Sequence, residues 1–286
     1  MRQKCFHAHA WQRKSRNPRL PLGSLFAKGE RRWWVWLSLA ALVSAFGAFL
    51  PRAYLALQKS AEPVSASADE YQQARERFVH EEIEGRGIRD ARVLAAMRKV
   101  PRHLFVPPDQ QKNAYVDSPL FIGYSQTISE PYVVAFMTEA LELKPHDRAL
   151  EIGTGSGYQA AVLAELTQEV YTIEIVEPLA KTAEERLRRL GYSNVHVRAG
   201  DGYRGWPEVA PFDAIILTAA PPERVPPPLL DELREGGRLV APVGGSEQDL
   251  IRVRRPAKGV TEEVLLPVRF VPMTGEAQKP DAHTAH

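Results

Sequence analysis

The sequence predicts an α/β fold: a doubly wound, mostly parallel sheet with a C-terminal antiparallel strand pair and a helical and loop region ahead of the first strand. Three observations carry this. Short apolar runs alternate with stretches of helical spacing from about residue 70 to 275. A glycine-rich turn joins one of those runs to the helix after it. Two extended runs near the end flank Lys258-Gly259, as an antiparallel pair requires.

The elements follow in order. Tyr71–Glu84 and Asp90–Val100 have helical patterns separated by the breaker Gly85-Arg86-Gly87. Pro131–Leu143 puts Val134, Met137, Ala140 and Leu141 on one helical face. Arg148–Ile152 reads as a short strand, Ser156–Leu166 as a helix, Val170–Ile173 as a strand, Leu179–Leu190 as a helix and Val195–Arg198 as a strand. Ala214–Thr218 is the most apolar of the runs and so the expected centre of the sheet. A helix over Leu229–Glu235, a strand over Arg238–Val243 and the pair Leu250–Arg255 and Val264–Val271 complete the pattern. In such a sheet, ligands bind outside the carboxyl ends of the strands.

Charge divides the chain further. Of a net +2 over 286 residues, residues 1–32 carry +8, with nine Lys/Arg against Glu30, which leaves −6 for the remainder. The basic stretch 1–32 is a leader, and an acidic body is a poor holder of nucleic acid through its phosphates. Residues 33–50 (WWVWLSLAALVSAFGAFL) carry no charge. As a helix they would be about 27 Å long, enough for a membrane anchor or signal-anchor at the short end of the range. Arg31 and Arg32 precede them, and Trp33, Trp34 and Trp36 sit where interfacial aromatics lie. Residues 51–69 read as a linker around Pro63, 70–275 as the folded domain and 276–286 as a disordered tail. Cys5 is the only cysteine, which excludes an internal disulfide and any multi-cysteine metal site; no metal is expected.

The chemistry concentrates at strand ends. Glu151-Ile-Gly153-Thr154-Gly155-Ser-Gly157 lies between a strand and a helix, where glycines allow a sharp turn and close backbone approach to a ligand. Its spacing departs from the dinucleotide G-x-G-x-x-G, and no Lys-Ser/Thr follows for a triphosphate. Glu174 ends the next strand, where a carboxylate can accept two ribose hydroxyls. Asp201-Gly202 ends the third, where a short acid can accept from an exocyclic amine such as adenine carries. Successive acids would repel a pyrophosphate but tolerate a sulfonium compound, so the set describes an S-adenosylmethionine pocket.

At this point the residues resemble a family. Val100-Pro-Arg-His-Leu-Phe-Val-Pro107, Ala114-Tyr115-Val-Asp117, Gln126-Thr-Ile-Ser-Glu-Pro-Tyr132 and Leu150–Val162 are similar to protein-L-isoaspartate O-methyltransferases. So are Gly205-Trp-Pro207, Ala210-Pro-Phe-Asp-Ala-Ile-Ile216, Thr218-Ala-Ala220, Pro242-Val-Gly244 and Arg269-Phe-Val-Pro272. The resemblance covers about Glu70 to Gly275 in order. It implies a Rossmann-like methyltransferase that moves a methyl group from S-adenosylmethionine to the free α-carboxylate of L-isoaspartyl residues in damaged peptides and proteins. The ester then re-forms a succinimide, and some of it opens to normal aspartate. A carboxylate with an ordinary pKa of about 4 is already a nucleophile at neutral pH, which agrees with the lack of a catalytic His, Cys or metal motif.

By resemblance, Ser129 is the active-site serine, and Glu151, Gly153, Thr154, Gly155, Gly157, Glu174, Asp201 and Gly202 hold the cofactor. Ile122, Gly123, Thr127, Ile128, Val271 and Pro272 line the peptide site. On residue type alone Ser129, ahead of Glu130-Pro131, is a helix N-cap. Asp117, before Ser118-Pro119, is a turn acid with a site role as the alternative. Two positions depart from the family pattern: Ser125 stands where glycine is common and Phe121 where proline is. The competing readings are a same-fold methyltransferase with a small-molecule or nucleic-acid substrate, and a catalytically silent, membrane-tethered binding module. The charges ahead of residue 33 predict an N-terminus inside and, for a single span, a catalytic domain outside the cytoplasm. The resemblance implies a cytoplasmic enzyme, with membrane association only through 33–50. Oligomeric state has no signature in the sequence.

Overall fold

A computed structural model describes residues 67–279. The basic leader, the apolar run 33–50 and nearly all of the linker lie outside the described residues. Helix α1 (Ala68–Phe78) opens with a capping box, Ser67 Oγ accepting from Glu70 N at 3.2 Å and Glu70 Oε2 from Ser67 N at 2.6 Å. This helix therefore begins ahead of the expected boundary at 70. A π-type turn, Val79–Glu84, continues it, and α2 (Ala91–Lys99) is capped by Asp90, whose side chain accepts from Arg92 N. Next come a small hairpin, β1 (Leu120–Gly123) with β2 (Gln126–Ile128), and helix α3 (Pro131–Ala140).

The main sheet is built from β3 (Arg148–Ile152), β4 (Glu169–Glu174), β5 (Val195–Ala199), β6 (Phe212–Leu217), β7 (Leu233–Val243), β8 (Gln248–Arg254) and β9 (Thr261–Val268). Its order is β5-β4-β3-β6-β7-β8-β9. β3 to β7 pair in parallel, while β7, β8 and β9 pair antiparallel. β6 is the fourth strand of seven and wholly buried, as its apolar sequence requires. Helices α4 (Tyr158–Ala164), α5 (Glu177–Arg189) and α6 (Pro227–Glu232) make the crossovers.

Strand alternation divides the core in two. Ala149, Val170, Ala214, Ile216 and Val240 face the layer that contains Val134, Met137, Ala160 and Leu163. Leu150, Ile152, Ile173, Ile215, Leu217 and Leu239 face Leu229 and Met273 on the other side. A buried ion pair joins distant elements: Arg238 Nη2 of β7 donates to Asp147 Oδ2 at 2.8 Å, and its Nε donates to Leu141 O.

Several segments differ from the sequence reading: the strand expected over Val264–Val271 runs from Thr261 to Val268. The helix expected over Leu229–Glu235 stops at Glu232, because Leu233 pairs with Phe212 and Gly236, at φ +75°, cannot extend a helix. The expected disordered tail starts instead with a 3₁₀ turn, Gly275–Gln278. No helix among the described residues is long and apolar enough to cross a membrane.

Candidate active site at the carboxyl ends of the strands

The strand order reverses between β3 and β6, and the crevice there is where a doubly wound sheet takes its ligand. The turn after β3 bends hard enough for Gly153 N to donate to Ile173 O of β4 at 2.8 Å. Gly153 sits at φ +103°, and a Cβ on it would lie 2.3 Å from Thr218 Oγ1, so no other residue fits. Thr218, at the end of β6, donates its hydroxyl to Gly153 O at 2.6 Å and locks the turn.

Glu174 ends β4 almost fully buried, with Oε2 accepting from Gly155 N at 2.7 Å and Oε1 from Val176 N at 2.9 Å. These two amides aim the carboxylate and leave each oxygen a lone pair for a diol. Gly153, Gly155, Glu174, Gly202, Thr127, Val271 and Pro272 line one cleft together, with Ile152, Ile175 and Thr218. Glycines that leave the backbone bare and a carboxylate aimed by two amides fit the adenosyl part of S-adenosylmethionine.

Three expected cofactor residues lie behind this surface. Glu151 is completely buried; its Oε2 accepts from Thr172 Oγ1 at 2.5 Å, Thr172 meets Thr154 Oγ1 at 2.6 Å, and Oε1 has no partner. Burial pushes its carboxyl up to about 8; the Thr172 hydroxyl opposes this and the Glu174 charge adds to it. Glu151 and Thr154 therefore back the turn through Thr172 and do not line the cleft. Gly157 is the N-cap of α4. Asp201 is exposed and is not among the residues that line the cleft, although its neighbour Gly202 is; its Oδ1 accepts from Tyr203 N at 3.0 Å and its Oδ2 from Glu276 N at 2.7 Å.

A second cleft opens beside the first. Ser129, Thr127 and Val271 line it with Arg86, Glu130, Tyr132, Thr218 and Phe270. The two clefts share Thr127, Thr218 and Val271. Ser129 is not the helix cap its sequence context suggests. Pro131 begins α3, the N-cap is Glu130, and no side chain at that position caps the helix. Asp117 supplies the acceptor instead, taking Tyr132 N on Oδ1 at 3.1 Å from 15 residues upstream. Arg86 holds the other oxygen of Asp117 and stacks its guanidinium 3.7 Å over the Tyr132 ring. Burial first, then the Asp117 charge, raises the Glu130 carboxyl above its ordinary range.

Of the residues expected at the peptide site, Thr127, Val271 and Pro272 border the clefts. Ile122 packs over the glycine turn, with Cδ1 3.4 Å from where a Cβ on Gly155 would be. Gly123 begins the hairpin bend at φ +96°. Ile128 is not in either cleft: β2 alternates, so Thr127 faces out and Ile128 goes into the core. Sequence reasoning missed Thr218 and Arg86 as site residues. The position of Thr218 after the central strand was a usable signal. Arg86 had none, since its partner Asp117 is 31 residues away.

A sequence profile of the family described as Protein-L-isoaspartate(D-aspartate) O-methyltransferase matches residues 73–278. A protein-L-isoaspartate O-methyltransferase of Gloeobacter violaceus is 56% identical over 208 residues, covering 72% of this chain and 100% of that protein. One of Opitutus terrae is 59% identical over 204 residues, covering 71% and 87%. Among solved structures, a protein-L-isoaspartate O-methyltransferase superposes with a TM-score of 0.64 at 28% identity, covering 70% of this chain and 66% of that one. A Plasmodium falciparum protein described as a putative member, in complex with S-adenosyl-L-homocysteine, gives 0.62 at 27% identity, covering 70% and 98%.

Proposed function

The chain belongs to the protein-L-isoaspartate O-methyltransferase family, and on that premise we propose that it methylates the free α-carboxylate of L-isoaspartyl residues in damaged peptides and proteins. The observation that carries this reading is the junction of the two clefts at Thr127, Thr218 and Val271. A donor in one cleft and an acceptor in the other would meet there.

S-adenosylmethionine supplies a methyl group on a positively charged sulfur. The rest of the work falls to this chain. Glu174 would accept the ribose hydroxyls and Asp201 the adenine amine, with the bare backbone of Gly153 and Gly155 leaving room for the sugar. Glu151 and Thr154 hold that backbone from behind through Thr172. The acceptor carboxylate needs no base, because it is ionised well below neutral pH. A cofactor bound in the first cleft would supply the methyl carbon to an oxygen of that carboxylate and leave as the neutral thioether, so the opposite charges of the two reactants would be lost together. Bringing these groups in line out of water is the main source of rate. Ser129 donates its hydroxyl to the carboxylate oxygen that does not attack and so sets the angle of the one that does. The backbone of Thr127 and Val271, which line the second cleft, grips an extended peptide without reading many of its side chains.

The catalytic domain is assigned to the cytoplasm, where the cofactor is made, with residues 33–50 as its candidate membrane tether; protease accessibility of the C-terminal tail after fractionation tests this. For the activity, an isoaspartyl peptide and its aspartyl twin are offered with labelled cofactor. Base-labile methyl ester should appear on the isoaspartyl peptide alone. Equal labelling of both, or of neither while the cofactor binds, would refute the repair reading.

A further inference from the structure

The last turn among the described residues, Gly275–Gln278, reaches back to the cofactor cleft. After Phe270, the backbone pairs in parallel with Ala220: Ala220 N donates to Val271 O at 2.8 Å and Met273 N to Ala220 O at 2.7 Å. Met273 and Thr274 then form part of the wall of the cofactor cleft. Gly275 turns the chain at φ +82°, and a Cβ there would stand 2.3 Å from Asp201 Oδ2 and 2.8 Å from Ile175 Cδ1. The bare glycine thus sits in the gap between the residue after Glu174 and the acid at the end of β5. The next amide, Glu276 N, donates to Asp201 Oδ2 across 75 residues. Glu276 is tied in turn to the 3₁₀ turn that follows Asp201, with Arg204 Nε 2.9 Å and Nη2 3.3 Å from its two carboxylate oxygens. Gln278 closes the turn by donating to Met273 O at 2.6 Å.

We propose that Gly275, Glu276 and Arg204 are positioning residues for the adenine end of the cofactor: a C-terminal strap that fixes the Asp201 carboxylate so that it accepts the exocyclic amine. An exposed aspartate would otherwise sample several rotamers. Here Tyr203 N and Glu276 N take one lone pair on each oxygen and aim the others. The proposal rests on the S-adenosylmethionine reading of the cleft and adds to it residues outside the glycine turn.

Calorimetry on the full chain tests it with two probes, S-adenosylhomocysteine and its inosyl analogue, in which a 6-oxo group replaces the amine. The wild-type protein should prefer the amine by about tenfold or more. Gly275→Ala, which cannot keep both the left-handed turn and the contact with Asp201, should lose most of that preference. Arg204→Glu should weaken S-adenosylhomocysteine selectively, and Arg204→Glu combined with Glu276→Arg should restore it. In turnover, the single variants should raise KM for the cofactor with kcat kept at saturation. Equal weakening of both probes, unchanged binding, or a fall in kcat without a change in KM would overturn the strap. Failure of the wild-type protein to bind either probe would sink the methyltransferase reading with it, whereas good binding without isoaspartyl methylation would leave the strap standing.

Discussion

Glu151 has its own pH signature. A carboxyl whose folded pKa is raised to about 8 from an ordinary 4.5 keeps its proton in the native state while the unfolded chain gives it up. Stability therefore falls as pH rises from about 4.5 to 8, since the native state binds more protons over that window. Glu151→Gln mimics the protonated form. It should match the wild type below pH 4.5 and exceed it by a few kcal/mol at pH 8 in denaturant titrations. Ser129→Ala belongs at the same scale. With the cap assigned to Asp117, it should leave stability within about 0.5 kcal/mol of wild type and lower kcat by roughly 10- to 100-fold. A loss of stability of about 1 kcal/mol with full turnover would return Ser129 to a purely structural role. The sequence made Glu174 and Gly153 legible, because a strand end and a turn are local facts. It hid the side-chain partner of Glu151 and the partner of Asp117, because those are made across chain separations that no pattern encodes.

At the scale of elements, the β1–β2 hairpin is the informative case. Its two-residue loop places Tyr124 at φ +52° and Ser125 at φ +57°, the left-handed pair that such a tight turn demands. Neither residue type favours that region. Ser125→Gly should therefore stabilise the protein by about 0.5–1 kcal/mol, read from the denaturation midpoint at an unchanged slope. The departure from glycine at 125 was visible in the sequence; its cost became visible only with the dihedral angles. The cap of α3 makes the complementary point. Asp117→Ala should cost about 1–2 kcal/mol, since it strips Tyr132 N of its acceptor and Arg86 of its counter-ion. Reading Ser129 as the cap used a correct rule, and a better-placed acid outcompeted it.

For the whole molecule, alternation of strand and helix specified the layers, and the apolar character of β6 specified the centre. What alternation could not give was the tie between β7 and the residue just ahead of β3. Arg238 and Asp147 are 91 residues apart and both nearly buried. Asp147→Ala would leave a buried guanidinium without its counter-ion and should cost about 3–5 kcal/mol in a denaturation experiment. The C-terminal stretch is a second long-range feature that local patterns missed. Phe270 and Val271 border the peptide cleft, Val271 to Thr274 border the cofactor cleft, and Glu276 rests on Asp201. One ribbon of chain is thus shared by both ligands. If filling either cleft stiffens that ribbon, the other ligand meets a partner already ordered, and linkage makes the gain reciprocal: donor and damaged peptide raise each other's affinity by the same factor.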